Sequence, residues 1–231
     1  MRASSEPLLL CLATQNRHKV DELLTLLLGL APQLVGRLRL TSLGELGIVD
    51  EVVEDGLTFA DNALIKARAA FERTGLWSLS DDSGLAVDAL GGAPGVQSAR
   101  WGGEPRSDQR NIDKLLADLA DVPVARRQAR FHCTLCLYGL APGQSQPQSI
   151  LREGECRGVL RETLAGRGGF GYDPLFVPDP EELAVAGLPE SRRGLTYAEL
   201  NSDEKNRLSH RTRAVLALLP DLLSRIGQLN A

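Results

Sequence analysis

Four short segments of this chain gather residue types with chemical capacity. The first is Thr14-Gln15-Asn16-Arg17-His18-Lys19, at the end of an apolar run and the start of a helical pattern. A hydroxyl, amides and backbone N–H groups at a helix N-terminus form an anion cradle, and Lys19 adds a point charge. Taken alone, the segment reads first as an ordinary N-cap with one solvated lysine. The second is acidic: Glu51, Glu54 and Asp55, then Asp81-Asp82 at the end of an apolar strand pattern. Adjacent carboxylates are costly to crowd unless a cation or a proton neutralises them, and hard oxygen donors of this kind suit Mg²⁺. A solvated acidic turn is the plainer reading of the pair alone.

The third segment is Gly168-Gly169-Phe170-Gly171-Tyr172-Asp173-Pro174. Glycines let a backbone approach a ligand closely, and Phe170 and Tyr172 are rings that could stack on a nucleobase. A Gly-rich turn with core aromatics is the alternative. The chain has only five Phe and three Tyr, which makes two rings in one glycine loop informative. The fourth is Glu204-Lys205-Asn206-Arg207-Leu208-Ser209-His210-Arg211. On a continuous helix Lys205, Ser209 and His210 would project toward one side; otherwise this is a solvated amphipathic face. The protein has 22 Arg but only four Lys, and Lys19 and Lys205 both fall inside these segments.

The elements that must carry these residues are legible in outline. Leu8–Ala13 has the length of a buried strand, and Val20, Leu23, Leu24, Leu27 and Leu28 recur at helical spacing up to Gly29. A second helix is predicted from Thr58 to Thr74, with Asp61 as capping-box partner. Leu76–Ser80 reads as a strand running into a turn at Asp81-Asp82-Ser83-Gly84. Ile112, Leu115, Leu116 and Leu119 mark a third helix capped by Ser107, and Ala129–Tyr138 is the clearest long strand. A Pro/Gly/Ser/Gln loop follows at 141–148 as a hairpin connection. Residues 179–194 have weak periodicity and read as a flexible surface loop. A last helix is predicted after Asn201-Ser202, with Val215, Leu218 and Leu219 on its core side. Strands alternating with helices indicate an α/β fold, and the long alternating strand favours a mixed sheet.

Composition narrows the classes. A chain of 231 residues at about 150 residues per domain allows one large domain or two small lobes. An apolar fraction of 43% and a charged fraction of 24% are ordinary for a globular protein. A net charge of −4 argues against binding nucleic acid through bulk positive charge. No apolar run approaches the ~20 residues of a membrane span, and the start of the chain does not read as a signal peptide. Of Cys11, Cys133, Cys136 and Cys156, only Cys133 and Cys136 have CxxC spacing, with no second ligand pair nearby. They read as structural thiols in a reducing cytoplasm, Cys133 facing the core. Neither GxxxxGK[ST] nor GxSxG occurs, so neither a P-loop nor a serine nucleophile is supported.

In combination the segments resemble the inosine triphosphate pyrophosphatase family. The resemblance is carried in order by Ala13–Lys19, Glu54–Ala63, Ser80–Leu85, Gly91–Arg100, Gly169–Pro174 and Glu204–Arg211, across nearly the whole chain. It departs from the family at a short N-terminal extension (1–6), the 141–148 loop and a longer 179–194 segment. The resemblance implies a single two-lobed domain over 1–231. Its long central mixed sheet would carry helices on both sides, with an active-site cleft enclosed by the lobes. It also implies a cytoplasmic homodimer that hydrolyses ITP, dITP and XTP to the monophosphate and pyrophosphate with Mg²⁺. By matching position, Glu54 and Asp82 would hold the metal, and Asp82 would accept the proton of the attacking water. Thr14, Gln15, Asn16, Arg17, His18, Lys19, Ser83, Arg100 and Lys205 would bind phosphate and sugar. Phe170, Gly171, Tyr172 and Asp173, with His210 and Arg211, would bind the base. Two alternatives are a Maf-like pyrophosphatase of pyrimidine or modified nucleotides and a nucleotide sensor without turnover. The Phe170–Asp173 and Ser209–Arg211 segments weigh against the first, the Glu54/Asp82 pair against the second.

Overall fold

The computed structural model describes residues 7–50 and 52–228. The N-terminal extension 1–6, Glu51 of the acidic segment and the side chain of His18 lie outside the described residues.

The leucine run becomes strand β1 (Leu8–Leu12), and helix α1 (Arg17–Leu30) follows, with Val20, Leu23 and Leu27 buried. Gly29 does not stop α1, which continues one residue further. Strand β2 (Leu38–Ser42) pairs parallel with β1, Leu8 opposite Leu38 and Leu12 opposite Ser42. Helix α2 (Phe59–Thr74) begins as its sequence demands. The Thr58 hydroxyl accepts from the Asp61 N–H at 3.1 Å, the Asp61 carboxylate accepts from the Thr58 N–H at 3.0 Å, and both orphan donors of the first turn are satisfied. Strand β3 (Ser78–Val87) then returns parallel to β1, Cys11 opposite Ser78.

Helix α3 (Asp108–Asp118) is capped by Ser107, and strand β4 (Gln128–Gly139) covers the long strand expected from the pattern. The 141–148 loop joins β4 to its sheet neighbour β5 (Gln148–Leu160), and β5 pairs antiparallel with the short β6 (Phe176–Pro178). The sheet order among the described residues is β2-β1-β3-β4-β5-β6, with both parallel and antiparallel pairs, so the mixed α/β architecture is observed. Helices α4 (Pro180–Val185), α5 (Ser202–Leu208) and α6 (His210–Gln228) complete the chain.

Three expectations are corrected. The Asp81-Asp82-Ser83-Gly84 turn is instead the middle of β3. Leu85, Ala86 and Val87 beyond it are all buried, so no alternation betrays a strand there, yet burial extends it. The 179–194 segment is not an unstructured loop. It holds α4 and a 3₁₀ turn over Glu190–Arg192, and Leu183 and Leu188 reach the core. The last helix is two helices broken at Ser209. There the backbone is extended, and the hydroxyl accepts from the Thr212 N–H at 3.0 Å to start α6.

The chain divides into two compact units. One comprises Met1–Asp82, Thr134–Glu153 and Ala214–Ala231, the other Ser83–Cys133 and Gly154–Arg213. In the first, Ala63 and Ala67 of α2 pack on Cys136 of β4, and Cys11, Leu43 and Ala70 form a second buried group. Small alanines let the helix lie close to the strands. In the second, Leu85, Leu115, Phe131, Cys156, Phe176 and Tyr197 belong to one continuous core. All four cysteines are buried free thiols. Cys133 and Cys136, three apart on a strand, point to opposite faces. Among the described residues no helix is long and apolar enough to cross a membrane.

Candidate active site

In the first unit the acidic residues converge on a lysine. The Lys66 ammonium on α2 lies 2.5 Å from Asp82 Oδ1 and 3.7 Å from Glu54 Oε2, and donates to the Asp81 carbonyl at 2.7 Å. Each element is pinned for this. Ser80 of β3 donates its hydroxyl to the Ala63 carbonyl of α2 at 2.5 Å, which sets the part of the strand next to Asp82 against the helix. The Gly56 N–H donates to the buried Asn62 carboxamide at 2.9 Å, which draws the Glu54 segment to the same helix. Asp82 is 8% exposed. Burial pushes its carboxyl above the usual 3.8, against the opposing pull of Lys66, and the negative charges of Glu54 and Asp81 add to the rise.

Two carboxylates drawn to one cationic point are a donor set that fits a hard divalent cation completed by water and substrate phosphate. Among the described residues, no group of three or more His, Cys, Asp or Glu side chains is placed to hold a metal ion; Glu54 and Asp82 are two carboxylates.

The Thr14–Lys19 segment is partly committed to its own fold. Thr14 Oγ1 accepts from the Asn16 N–H at 3.1 Å, and the Gln15 amide donates to the Val49 carbonyl at 2.6 Å. Arg17 pairs with Asp21 at 3.1 Å and with Glu45. Asn16 and Lys19 are exposed at the N-terminal end of α1, where the helix dipole favours anions.

In the second unit Asp173 is the hub. It is 2% exposed; its Oδ2 accepts from the Phe170 N–H at 2.8 Å and pairs with Lys205 of α5. Burial raises its carboxyl above 3.8, opposed by Lys205 and by the Phe170 N–H. The Lys205 ammonium also stands 4.5 Å from the Phe170 ring centroid and 5.7 Å from that of Tyr197, a cation–π arrangement. Gly169 has φ +75°, and a Cβ there would lie 2.8 Å from Asp173 Cγ, so glycine is required on both counts. The Gly171 N–H donates to Asp108 at 2.7 Å.

The two rings of the glycine loop have different fates. Phe170 is 63% exposed and free to meet a planar ligand, whereas Tyr172 is 4% exposed and donates its hydroxyl to the Ser98 carbonyl at 2.9 Å. The expectation that both stack on a base is corrected: the Tyr172 ring belongs to the core. His210 is likewise buried, stacked on Phe131 at 5.1 Å between centroids and 13° between planes. Because the helix breaks at Ser209, Lys205 and His210 sit on different helices rather than on one face.

The structure thus brings together Glu54 with Asp82, and Phe170 with Asp173 and Lys205. Ser83 follows Asp82 on β3, and Arg211 follows His210 in the first turn of α6. Lys66, Asp108 and Ser98 were not anticipated. Lys66 had one signal, being a third of only four lysines in an arginine-rich chain. Ser98 fell inside the Gly91–Arg100 segment without a role, and Asp108 had no signal, because their partners lie 74 and 63 residues away.

The sequence model of the Ham1 family matches residues 10–221 of this chain. A dITP/XTP pyrophosphatase of Salmonella typhimurium is 46% identical over 211 residues, covering 91% of this chain and 96% of the relative. The dITP/XTP pyrophosphatase of Escherichia coli K12 is 45% identical over the same span. Among solved structures, a HAM1 protein from Coxiella burnetii superposes with a TM-score of 0.76 at 35% identity, covering 94% of this chain and 99% of that one. A nucleoside-triphosphatase/dITP/XTP pyrophosphatase from Mycobacterium abscessus gives 0.72 at 41% identity, covering 92% and 100%.

Proposed function

The chain belongs to the Ham1 family, and from that premise we propose that it hydrolyses ITP, dITP and XTP to the monophosphate and pyrophosphate, removing deaminated purines from the nucleotide pool. The observation that carries this reading is the convergence of Glu54 and Asp82 on one cationic point, with Lys66 2.5 Å from Asp82.

Glu54 and Asp82 would hold Mg²⁺, which when bound supplies Lewis acidity and neutralises triphosphate charge. Asp82 orients the attacking water and takes its proton as the water oxygen bonds to phosphorus. The P–O–P bridge breaks, and pyrophosphate leaves with the bridging electron pair. A carboxyl raised by burial is a better proton acceptor than a solvated one. Lys66 opposes that rise and donates a hydrogen bond to the carboxylate at 2.5 Å.

Thr14, Asn16, Lys19 and the backbone N–H groups opening α1 receive phosphate oxygens, with Gln15, Arg17 and His18 in the same segment and Ser83 beside Asp82. Lys205 adds a point charge, its direction fixed by Asp173. The exposed Phe170 ring stacks on the base, and Arg211, beside the buried His210, reads its edge. Tyr172 supports the Phe170 loop from below through Ser98. A 6-oxo purine offers an acceptor there; adenine offers a donor, and a site built to hydrogen-bond rejects such a mismatch strongly. Family resemblance supports a homodimer, the free buried thiols fit a reducing cytoplasm, and a net charge of −4 argues against binding nucleic acid through bulk positive charge.

Pyrophosphate release from ITP, XTP, GTP, ATP and dTTP, each with and without Mg²⁺, tests the reading. Metal-dependent turnover of ITP and XTP, with GTP and ATP slower by about two orders of magnitude or more, is expected. Equal rates on all five would remove the pool-cleansing role, and no turnover would remove the enzyme.

A further inference from the structure

The helix that carries Lys205 is poorly able to hold itself. Helix α5 spans only 7 residues, and α6, which carries His210 and Arg211 in its first turn, restarts after a break at Ser209. Seven residues in isolation have too few hydrogen bonds to offset nucleation. The order of α5, and its alignment with the first turn of α6, must come from what they pack against.

The 179–194 segment supplies three anchors to them. From α4, Glu182 uses both oxygens: Oε1 accepts from the Arg157 N–H of β5 at 3.0 Å, and Oε2 pairs with Arg213 of α6 at 2.5 Å. Arg213 also donates to the Glu155 carbonyl of β5 at 2.8 Å, so α4, β5 and the first turn of α6 share one polar knot. From the 3₁₀ turn, Arg192 pairs with Glu204 at 2.6 Å, while the other oxygen of Glu204 caps α5 by accepting from the Asn201 N–H at 3.1 Å. From the end of α4, the Ala186 and Gly187 carbonyls accept from Arg207 at 2.5 and 2.9 Å. Beneath these, Leu183 and Leu188 seal the segment into the core with Leu208.

Glu204 and Arg207 flank Lys205, and Arg213 lies one short step beyond His210 and Arg211. We propose that the 179–194 segment is a positioning brace for the nucleotide-binding ends of α5 and α6, with Glu182 and Arg192 as its positioning residues. This rests on the reading of Lys205, His210 and Arg211 as ligand contacts. The brace works through geometry: it fixes where Lys205 and the first turn of α6 stand, and leaves Glu54, Lys66 and Asp82 untouched. Its failure appears in substrate binding rather than in the chemical step.

The test uses Glu182→Gln and Arg192→Gln, singly and together, in the full chain. Two readouts are taken: KM and kcat for ITP, and amide hydrogen exchange over residues 202–213. The double variant is expected to raise KM about five- to tenfold with kcat within about twofold, because uniform binding is lost without a change in the transition-state contacts. Exchange over 202–213 should quicken about tenfold through local opening. Unchanged exchange overturns the brace whatever the activity. Faster exchange with an unchanged KM overturns its link to binding. If the wild-type chain does not turn over ITP, the proposed function fails, and exchange alone decides the brace. Arg192→Gln, which removes only a half-exposed partner, keeps the test open if the double variant does not fold.

Discussion

Gly169→Ala is a sharp test of the Asp173 hub. Two perturbations arise from one methyl group. The first is backbone: φ at Gly169 is +75°, where an L side chain is disfavoured by about 1 kcal/mol or more. The second is steric: the new Cβ would fall inside contact distance of Asp173 Oδ2, the atom that accepts from the Phe170 N–H and pairs with Lys205. Moving that oxygen weakens hydrogen bonds to a buried charged group, worth about 2 kcal/mol. Together these give about 3 kcal/mol, or a Tm lowered by about 6–12 °C for a chain of this size. Gly143, in the loop between β4 and β5, is a built-in control. It has the same φ of +75°, and a Cβ there meets nothing within 4 Å. Gly143→Ala bears the backbone cost alone, so its Tm should fall by about 2–4 °C. The assay is thermal unfolding of both variants beside wild type, with KM for ITP on the same samples. KM should rise in Gly169→Ala because Lys205 and Phe170 lose their anchor, and stay at the wild-type value in Gly143→Ala. Equal losses in the two variants, or a wild-type KM in the first, would refute the hub.

Two further perturbations probe the charges. Lys66→Met removes the ammonium between Asp82 and Glu54 and should lower kcat for ITP about 10- to 100-fold; it should also displace the acid limb of the pH–rate profile to higher pH, and a wild-type profile would show that Lys66 is a bystander. Asp173 is buried and its carboxyl is raised above 3.8, so the folded chain takes up this proton before the unfolded chain does. Its contribution to stability is full below the unfolded value and lost as pH rises through the folded one. Urea midpoints of Asp173→Asn relative to wild type should therefore move in favour of the variant from about pH 4 to about pH 7, and movement in the opposite direction would mean that Lys205 outweighs burial.

The sequence by itself determined what depends on near neighbours. Helix starts at Thr58, Ser107 and Asn201 were legible because a capping side chain satisfies donors two or three residues away. The apolar rhythm of α1, α3 and β4 and the four chemical segments were legible for the same reason. The residues of those segments are also where the resemblance to a nucleotide pyrophosphatase family lay, and the Ham1 family match bears that out.

Tertiary structure decided what depends on distance along the chain. β3 runs through Asp81-Asp82 because the residues beyond it are buried, and continuous burial erases the alternation that marks a strand in sequence. Lys66 acquires its role from a carboxylate 16 residues away on another element, and Tyr172 turns inward to a carbonyl 74 residues distant. The 179–194 segment reads as a loop because its anchors are charged pairs and carbonyls, which carry no hydrophobic period. Local rules fix where an element can begin; only the packed chain fixes which face of it meets which partner, because burial and charge pairing are properties of the assembled surroundings and not of the residue.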